Sequence, residues 1–280
     1  MRSKRWKKIF TFAPVYVFLL GLVFFSVFPS LWMFLTSIKP PNEVFTTPPR
    51  YWAENPTLDN YNRVLFESRI PRAFLNSTLV SAATGLITLL LALPAGYGFA
   101  RYRFTGAGLL STSLLFGQML PAVVLVIPLY IVLNKLDLID THAGLIIANL
   151  SVTIPVAVMM MRSYIESVPR ELEEAAKIDG VGNIGVLVRI VMPVSIPGIV
   201  AVSIFTVIHA WEEFLYALNF ANSAAVKTLP ITLAEFSGQF KIDWGGMMSA
   251  AVVISLPVLL LFLICNKYFV KGLSDGAVKG

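Results

Sequence analysis

The sequence is short of the groups that soluble proteins depend on. Of 280 residues, only 14% are charged, histidine occurs twice and cysteine once. The lone Cys265 excludes an internal disulfide. The scarcity of charge, with 56% hydrophobic residues and a mean hydropathy of +0.75, excludes an ordinary soluble domain and points to a polytopic membrane protein. There is no Gly-x-x-x-x-Gly-Lys-Ser/Thr loop, so the chain lacks the usual nucleotide cradle. No repeat with a period of about 20–50 residues is visible.

What is present in abundance is apolar length. A helix needs about 20 apolar residues to cross roughly 30 Å of hydrocarbon. Six stretches free of Asp, Glu, Lys and Arg meet that need: Ile9–Ile38, Ala73–Ala100, Phe104–Asn134, Thr141–Met161, Ile190–Trp211 and Trp244–Asn266. The predicted fold is therefore an all-α membrane protein of six transmembrane helices forming a single domain over residues 1–280. The charged start, residues 1–8, reads as the flank of an uncleaved anchor.

Basic residues set the orientation. Arg2, Lys4, Arg5, Lys7 and Lys8, then Arg101 and Arg103, then Arg162, Arg170, Lys177 and Arg189 fall on one side, together with the tail 267–280. That side reads as cytoplasmic, with both termini on it. The net charge of +6 thus reflects membrane orientation, and no nucleic-acid partner is expected. The proline- and aromatic-rich segment from Lys39 to Arg72 is expected to extend over the outer face.

One cytoplasmic segment, 162–189, carries a polar island, Val168-Pro-Arg-Glu-Leu-Glu-Glu-Ala-Ala-Lys-Ile-Asp-Gly180. Pro169 suits the start of a helix. Glu171, Glu173 and Glu174 suit its positive end. Leu172, Ala175, Ala176 and Asp179 recur at helical spacing, and Gly180 suits the left-handed turn that ends it. About a dozen residues give roughly 18 Å, too short to span. The pattern predicts a short cytoplasmic helix between spans four and five. Taken alone it fits a docking knob and a solvated connector equally.

Polar residues inside spans are candidates for a solute path, against the alternative of interhelical hydrogen bonding worth about 0.6–2 kcal/mol. Gln118 and Asn149 lead this group, with Ser151, Thr153, Thr206 and His209 behind them. His209, Glu212 and Glu213 offer too few ligands for a convincing metal site. Asn76-Ser-Thr78 matches a glycosylation sequon but stands at a span entrance. Spans free of buried acids and lysines argue against an ion-coupled carrier, and the lack of paired catalytic groups argues against a membrane enzyme.

Glu174-Ala175-Ala176-x3-Gly180-x9-Ile190-x-Met192-Pro193 resembles the EAA loop of importer-type ATP-binding-cassette permeases. The single departure is Met192 in place of leucine. Phe74-Leu-Asn-Ser77, Ala100-Arg-Tyr-Arg-Phe-Thr-Gly106, Leu136-Asp-Leu-Ile-Asp-Thr141, Trp244-Gly245 and the ending Val270–Gly280 are similar to carbohydrate-importer permeases related to the second maltose-transporter permease. Glu212 departs from that subfamily's usual Asn, at a position that bears on substrate or partner choice.

The resemblance implies a permease subunit of an ATP-driven sugar importer in a bacterial or archaeal plasma membrane, working by alternating access. Its implied partners are a second, different permease, two ATPase subunits and an extracytoplasmic sugar-binding protein. ATP and Mg would be bound by the ATPases, and this chain would hold no cofactor or metal and perform no catalysis itself. Glu174 would be the charged ATPase contact, Ala175 and Ala176 the close-packed face, and Asp179 and Gly180 the terminating turn. Leu172, Ile190 and Pro193 would support the loop. The tail, including Lys279 and Gly280, would lie against the ATPases, and the loop from Glu212 to Asp243 would receive sugar from the binding protein.

Overall fold

A computed structural model describes the backbone of residues 2–238 and 242–277, and the side chains of 12, 14–238 and 242–265. The long helices are α1 (Arg2–Ser37), α2 (Ile70–Arg101), α3 (Ala107–Met119), α4 (Ala122–Lys135) and α5 (His142–Glu166). They continue as α6 (Arg170–Ile178), α7 (Asn183–Val194), α8 (Ile196–Glu212) and α9 (Trp244–Ala277). No strand forms among the described residues. Lys279 and Gly280, expected to contact the ATPases, lie outside the described residues.

Among the described residues, four helices are long and apolar enough to cross a membrane: α2, α5, Pro14–Ser37 of α1 and Trp244–Cys265 of α9. The count reaches six when each of two bent pairs is taken as one span. Here the structure corrects two expected boundaries. The third stretch is no single rod, because α3 and α4 meet at 106°. Leu120 is extended (φ −73°, ψ 129°) ahead of Pro121, whose ring disfavours helical backbone in the residue before it. The fifth stretch bends by 81° between α7 and α8, so Ile190 and Pro193 belong to α7, ahead of the spanning helix.

Two compact units divide the chain. The first comprises Met1–Ser68 with Glu235–Ser255. In it the segment after α1 is not extended as its prolines predict, but folded around two buried polar side chains. Asn60 Nδ2 donates to the carbonyls of Ser37 and Lys39, both at 2.9 Å. Glu43 accepts from the amides of Glu54 and Asn55 at 2.8 and 3.2 Å. Arg63 pairs with Asp243 at 2.8 Å. A buried amide or carboxylate is tolerable only when its hydrogen bonds are made, and these partners fix the chain path.

The second unit comprises Arg69–Ala234 with Leu256–Gly280. Its core is the packing of α2 against α5 and α8. Gly96 permits the close approach: a Cβ there would stand 2.8 Å from Met161 Cβ and 2.9 Å from the Arg162 amide nitrogen. At one end Tyr97, Ala100, Met161, Ile165 and Val202 are buried together; at the other Val80, Leu145, Tyr216 and Phe220 are. A polar seam runs through this packing. The Thr88 and Thr153 hydroxyls are 2.9 Å apart, and Thr153 and Thr206 each return a bond to their own helix at 3.0 Å. By contrast, α3 buries no residue within the chain.

Candidate functional site

The polar island forms α6, nine residues long and shorter than its sequence suggests, with Pro169 as the capping residue (φ −57°, ψ 133°). Glu171 and Glu173 occupy the first turn and Lys177 the last, as the helix dipole favours. Its end is a Schellman turn. The Val181 amide donates to Ala176 O and the Gly180 amide to Lys177 O, each at 3.0 Å, with Gly180 at φ +82°. Glycine adopts that backbone without the steric cost a side chain would bring.

The inner side of α6 is held by a buried ion pair. Glu173, 3% exposed, meets Arg101 Nε at 2.5 Å through Oε1. Its Oε2 accepts from the Tyr97 hydroxyl at 2.9 Å. Arg101 also donates to Val168 O at 2.7 Å, just ahead of the helix. Three residues on from Glu173, Ala176 enters the core beside Tyr97, Ala100 and Ile165. Val181 and Ile190 pack on the same cluster from the following segment. Thus α6 is fastened at its inner face to the ends of α2 and α5.

The outward side carries Glu171, Leu172, Glu174, Ala175, Ile178 and Asp179, all exposed. Ile178 is 87% exposed, an apolar side chain that nothing among the described residues covers. This divides the two alanines expected to form one contact face. Ala175 points outward, but Ala176, one helical step of about 100° away, is committed to the chain's own core. Leu172 stands on the outward face too, and Ile190 is half-buried while Pro193 is exposed. Sequence reasoning named Glu173 only for the helix dipole and Arg101 only for orientation and resemblance, and gave Tyr97 and Ile178 no site role. The spacing of Glu173 and Ala176 at i and i+3 was the one signal that they share a face.

The solute-path candidates are not brought together. Gln118 is exposed on α3 and Glu212 is exposed at the end of α8. Asn149 is 1% exposed on α5 and turns back to Leu145 O at 2.9 Å. Its Oδ1 has no partner among the described residues. Glu213 is occupied as a cap, accepting from the amides of Tyr216 and Ala217 at 2.6 and 3.0 Å, and burial pushes its carboxyl above the usual range.

At the first turns of α2 and α5, buried Asn76 donates to the carbonyls of Ala225 and Lys227, both at 2.9 Å, and its Oδ1 lies 3.0 Å from His142 Nε2. Asp140 accepts from the amides of Asn222 and Ser223 at 2.8 and 2.9 Å. Burial works to raise the Asp140 carboxyl, but those amide donors and nearby Lys227 overcome it and hold the group below its ordinary value. The loop after α8 is therefore bonded to the start of α2 and to the connection between α4 and α5.

Bent, close-packed apolar helices with a short amphipathic helix fastened across one end define a membrane permease component. The chain belongs to the family of binding-protein-dependent transport system inner membrane components, whose family model matches residues 88–275. It is 34% identical to a probable ABC transporter permease protein, YurM, of Bacillus subtilis, across 95% of this chain and 88% of that one. It is 32% identical to the trehalose transport system permease protein SugB of Mycobacterium tuberculosis, across 92% and 94%. Its fold matches a crystal structure of a bacterial ABC transporter involved in import of the acidic polysaccharide alginate. The TM-score is 0.80 at 21% identity, covering 96% of this chain and 98% of that one. The chain is thus a multi-pass permease component of a binding-protein-dependent ABC importer.

Proposed function

We propose that this chain imports a sugar by alternating access, paired with a second, different permease, driven by two ATPase subunits and supplied by an extracytoplasmic sugar-binding protein. In this reading both termini are cytoplasmic, and ATP and Mg belong to the ATPases. The trehalose permease similar to it over most of its length supports a sugar as solute. The basic segments 1–8, 162–189 and 267–280 support the orientation.

The observation that carries the coupling role is the two-sidedness of α6. Its inner face is fixed by Glu173 and Ala176, and its outer face offers Glu174, Ala175 and Ile178 to a partner. A knob of this kind, rigid on the inside and unsatisfied on the outside, transmits a partner's motion to the spans. Moving solute uphill requires that free energy pass between distant sites, and α6 is the element through which it would pass. Glu174→Lys, which reverses an exposed charge without touching the core, is expected to weaken ATPase retention during purification and to reduce uptake. Retention at the parent's stoichiometry with normal uptake removes α6 from the role.

A further inference from the structure

A cavity of about 670 Å3 opens beside α6, within the roughly 300–1,000 Å3 range of small-ligand sites. Its walls are the end of α2, the connection 102–106, the first turns of α3, and the end of α5. Four arginines line it: Arg101, Arg103, Arg162 and Arg170. Two are spent, Arg101 on Glu173 and Arg162 on Glu166 at 2.8 Å. Arg103 and Arg170 have no carboxylate partner among the described residues, and Arg170 makes a single long contact, 3.4 Å, to Ala100 O. The start of α3 adds to the positive field: no side chain caps it, no acid stands in its first turn, and Gly108 of that turn lines the cavity.

Two guanidinium groups without counter-charge in one concavity call for an anion with several oxygens. The surroundings indicate its source. Tyr102 and Phe104 line the same cavity with their rings partly exposed, the amphipathic belt expected at a membrane surface. Immediately beyond, α3 carries Leu109, Leu110 and Phe116 exposed. A headgroup seated on the arginines would lay its acyl chains along that apolar helix.

We propose that this cavity binds the phosphate of an anionic membrane phospholipid, held by Arg103 and Arg170, beside α6. The site rests on the chain spanning a bilayer and not on the role proposed for α6, so either idea stands if the other fails.

The test uses the assembled transporter, delipidated and returned to nanodiscs of phosphatidylcholine with or without phosphatidylglycerol. Native mass spectrometry counts retained lipid. Phosphatidylglycerol is expected to be retained by the parent, and Arg103→Gln/Arg170→Gln to weaken it roughly 25-fold, about fivefold for each arginine near the surface. Arg189→Gln, on the same side of the chain but outside the cavity, should match the parent. In the parent alone, retention should fall as salt rises and phosphatidylcholine should not substitute. Equal retention by the double variant overturns the proposal. So does equal occupancy of the parent by inorganic phosphate, which marks a soluble anion site, or loss of ATPase co-purification with lipid unchanged, which marks a protein acid as the occupant.

Discussion

The Glu173–Arg101 pair gives the sharpest test of how α6 is held. Both partners are almost wholly buried, and Tyr97 OH and Val168 O complete their hydrogen bonding. Replacing Glu173 by Ala strands a guanidinium in the core, and breaking such a pair from one side costs about 3–5 kcal/mol. The effect should be local, since among the described residues α6 is held to the bundle mainly by Glu173, Ala176 and the Schellman turn, with one long contact from Arg170 to Ala100 O. At about 1.4 kcal/mol per tenfold, amide exchange across residues 170–178 should quicken by about two to three and a half orders of magnitude. Glu174→Ala, exposed on the same helix, should change stability by less than about 0.5 kcal/mol and leave exchange unaltered. The double replacement Glu173→Leu/Arg101→Met should recover most of the loss, because removing both charges avoids the stranded one. Hydrogen exchange read by mass spectrometry on the purified complex decides it. Unchanged exchange in Glu173→Ala, or equal loss in Glu174→Ala, refutes the anchoring.

Gly180→Arg should abolish uptake while the chain still inserts, checked by membrane fractionation beside solute uptake. A Cβ at Gly180 meets open space, so the penalty comes from its φ of +82°, about 1–2 kcal/mol, plus a long cation at the partner surface. Gly180→Asn, which tolerates that backbone, should retain most activity. Gly96→Ala should lower the melting temperature of the complex, since its methyl forces α2 from α5 at a cost of about 1–3 kcal/mol. Asp140→Asn should destabilise the loop after α8 by about 1–2 kcal/mol at neutral pH, seen as faster exchange at 220–226. Asp140's carboxyl is held below its ordinary value of 3.8, so its contribution is full above that pH and is lost as pH falls through the folded-state value. The Asn variant should show no such acid-dependent step.

The apolar spans were legible because a run without charge has few places to go but lipid, and Gly180 because few residues other than glycine end a helix in the left-handed region. The bends were less so. Pro94 and Pro155 stand inside continuous helices, whereas Pro121 separates α3 from α4. A proline's effect depends on whether neighbours satisfy the carbonyl it frees, which a single sequence does not reveal. The buried role of Glu173 was hidden for a similar reason. It stands among Glu171 and Glu174, identical in type, and what distinguishes it is Arg101, distant in sequence. The division of Ala175 from Ala176 follows from the same contact: once Glu173 faces inward, helical geometry turns Ala176 with it and Ala175 away.

The anchoring also determines where a displacement of α6 would go. Glu173 and Ala176 tie it to the end of α2, and Val168 ties the segment before it to Arg101 of the same helix. At Gly96, one and a half turns back along α2, there is no room for that helix to slide past α5 without moving Met161 and Arg162. Downstream, the Schellman turn leads into α7, whose Val186 and Val191 are buried in the same cluster. A pull on α6 therefore reaches α2, α5 and α7 together rather than bending one loop. The α7–α8 bend stands next in line, with the Ser195 hydroxyl buried and unpartnered among the described residues. A bend of 81° flanked by Pro193 and Pro197 lacks the continuous ladder of hydrogen bonds that makes a straight helix stiff. Rigid at α2 and α5 and broken before α8, the bundle has the arrangement that the coupling role proposed for α6 requires, in which motion of one short helix would become a change of angle between spans.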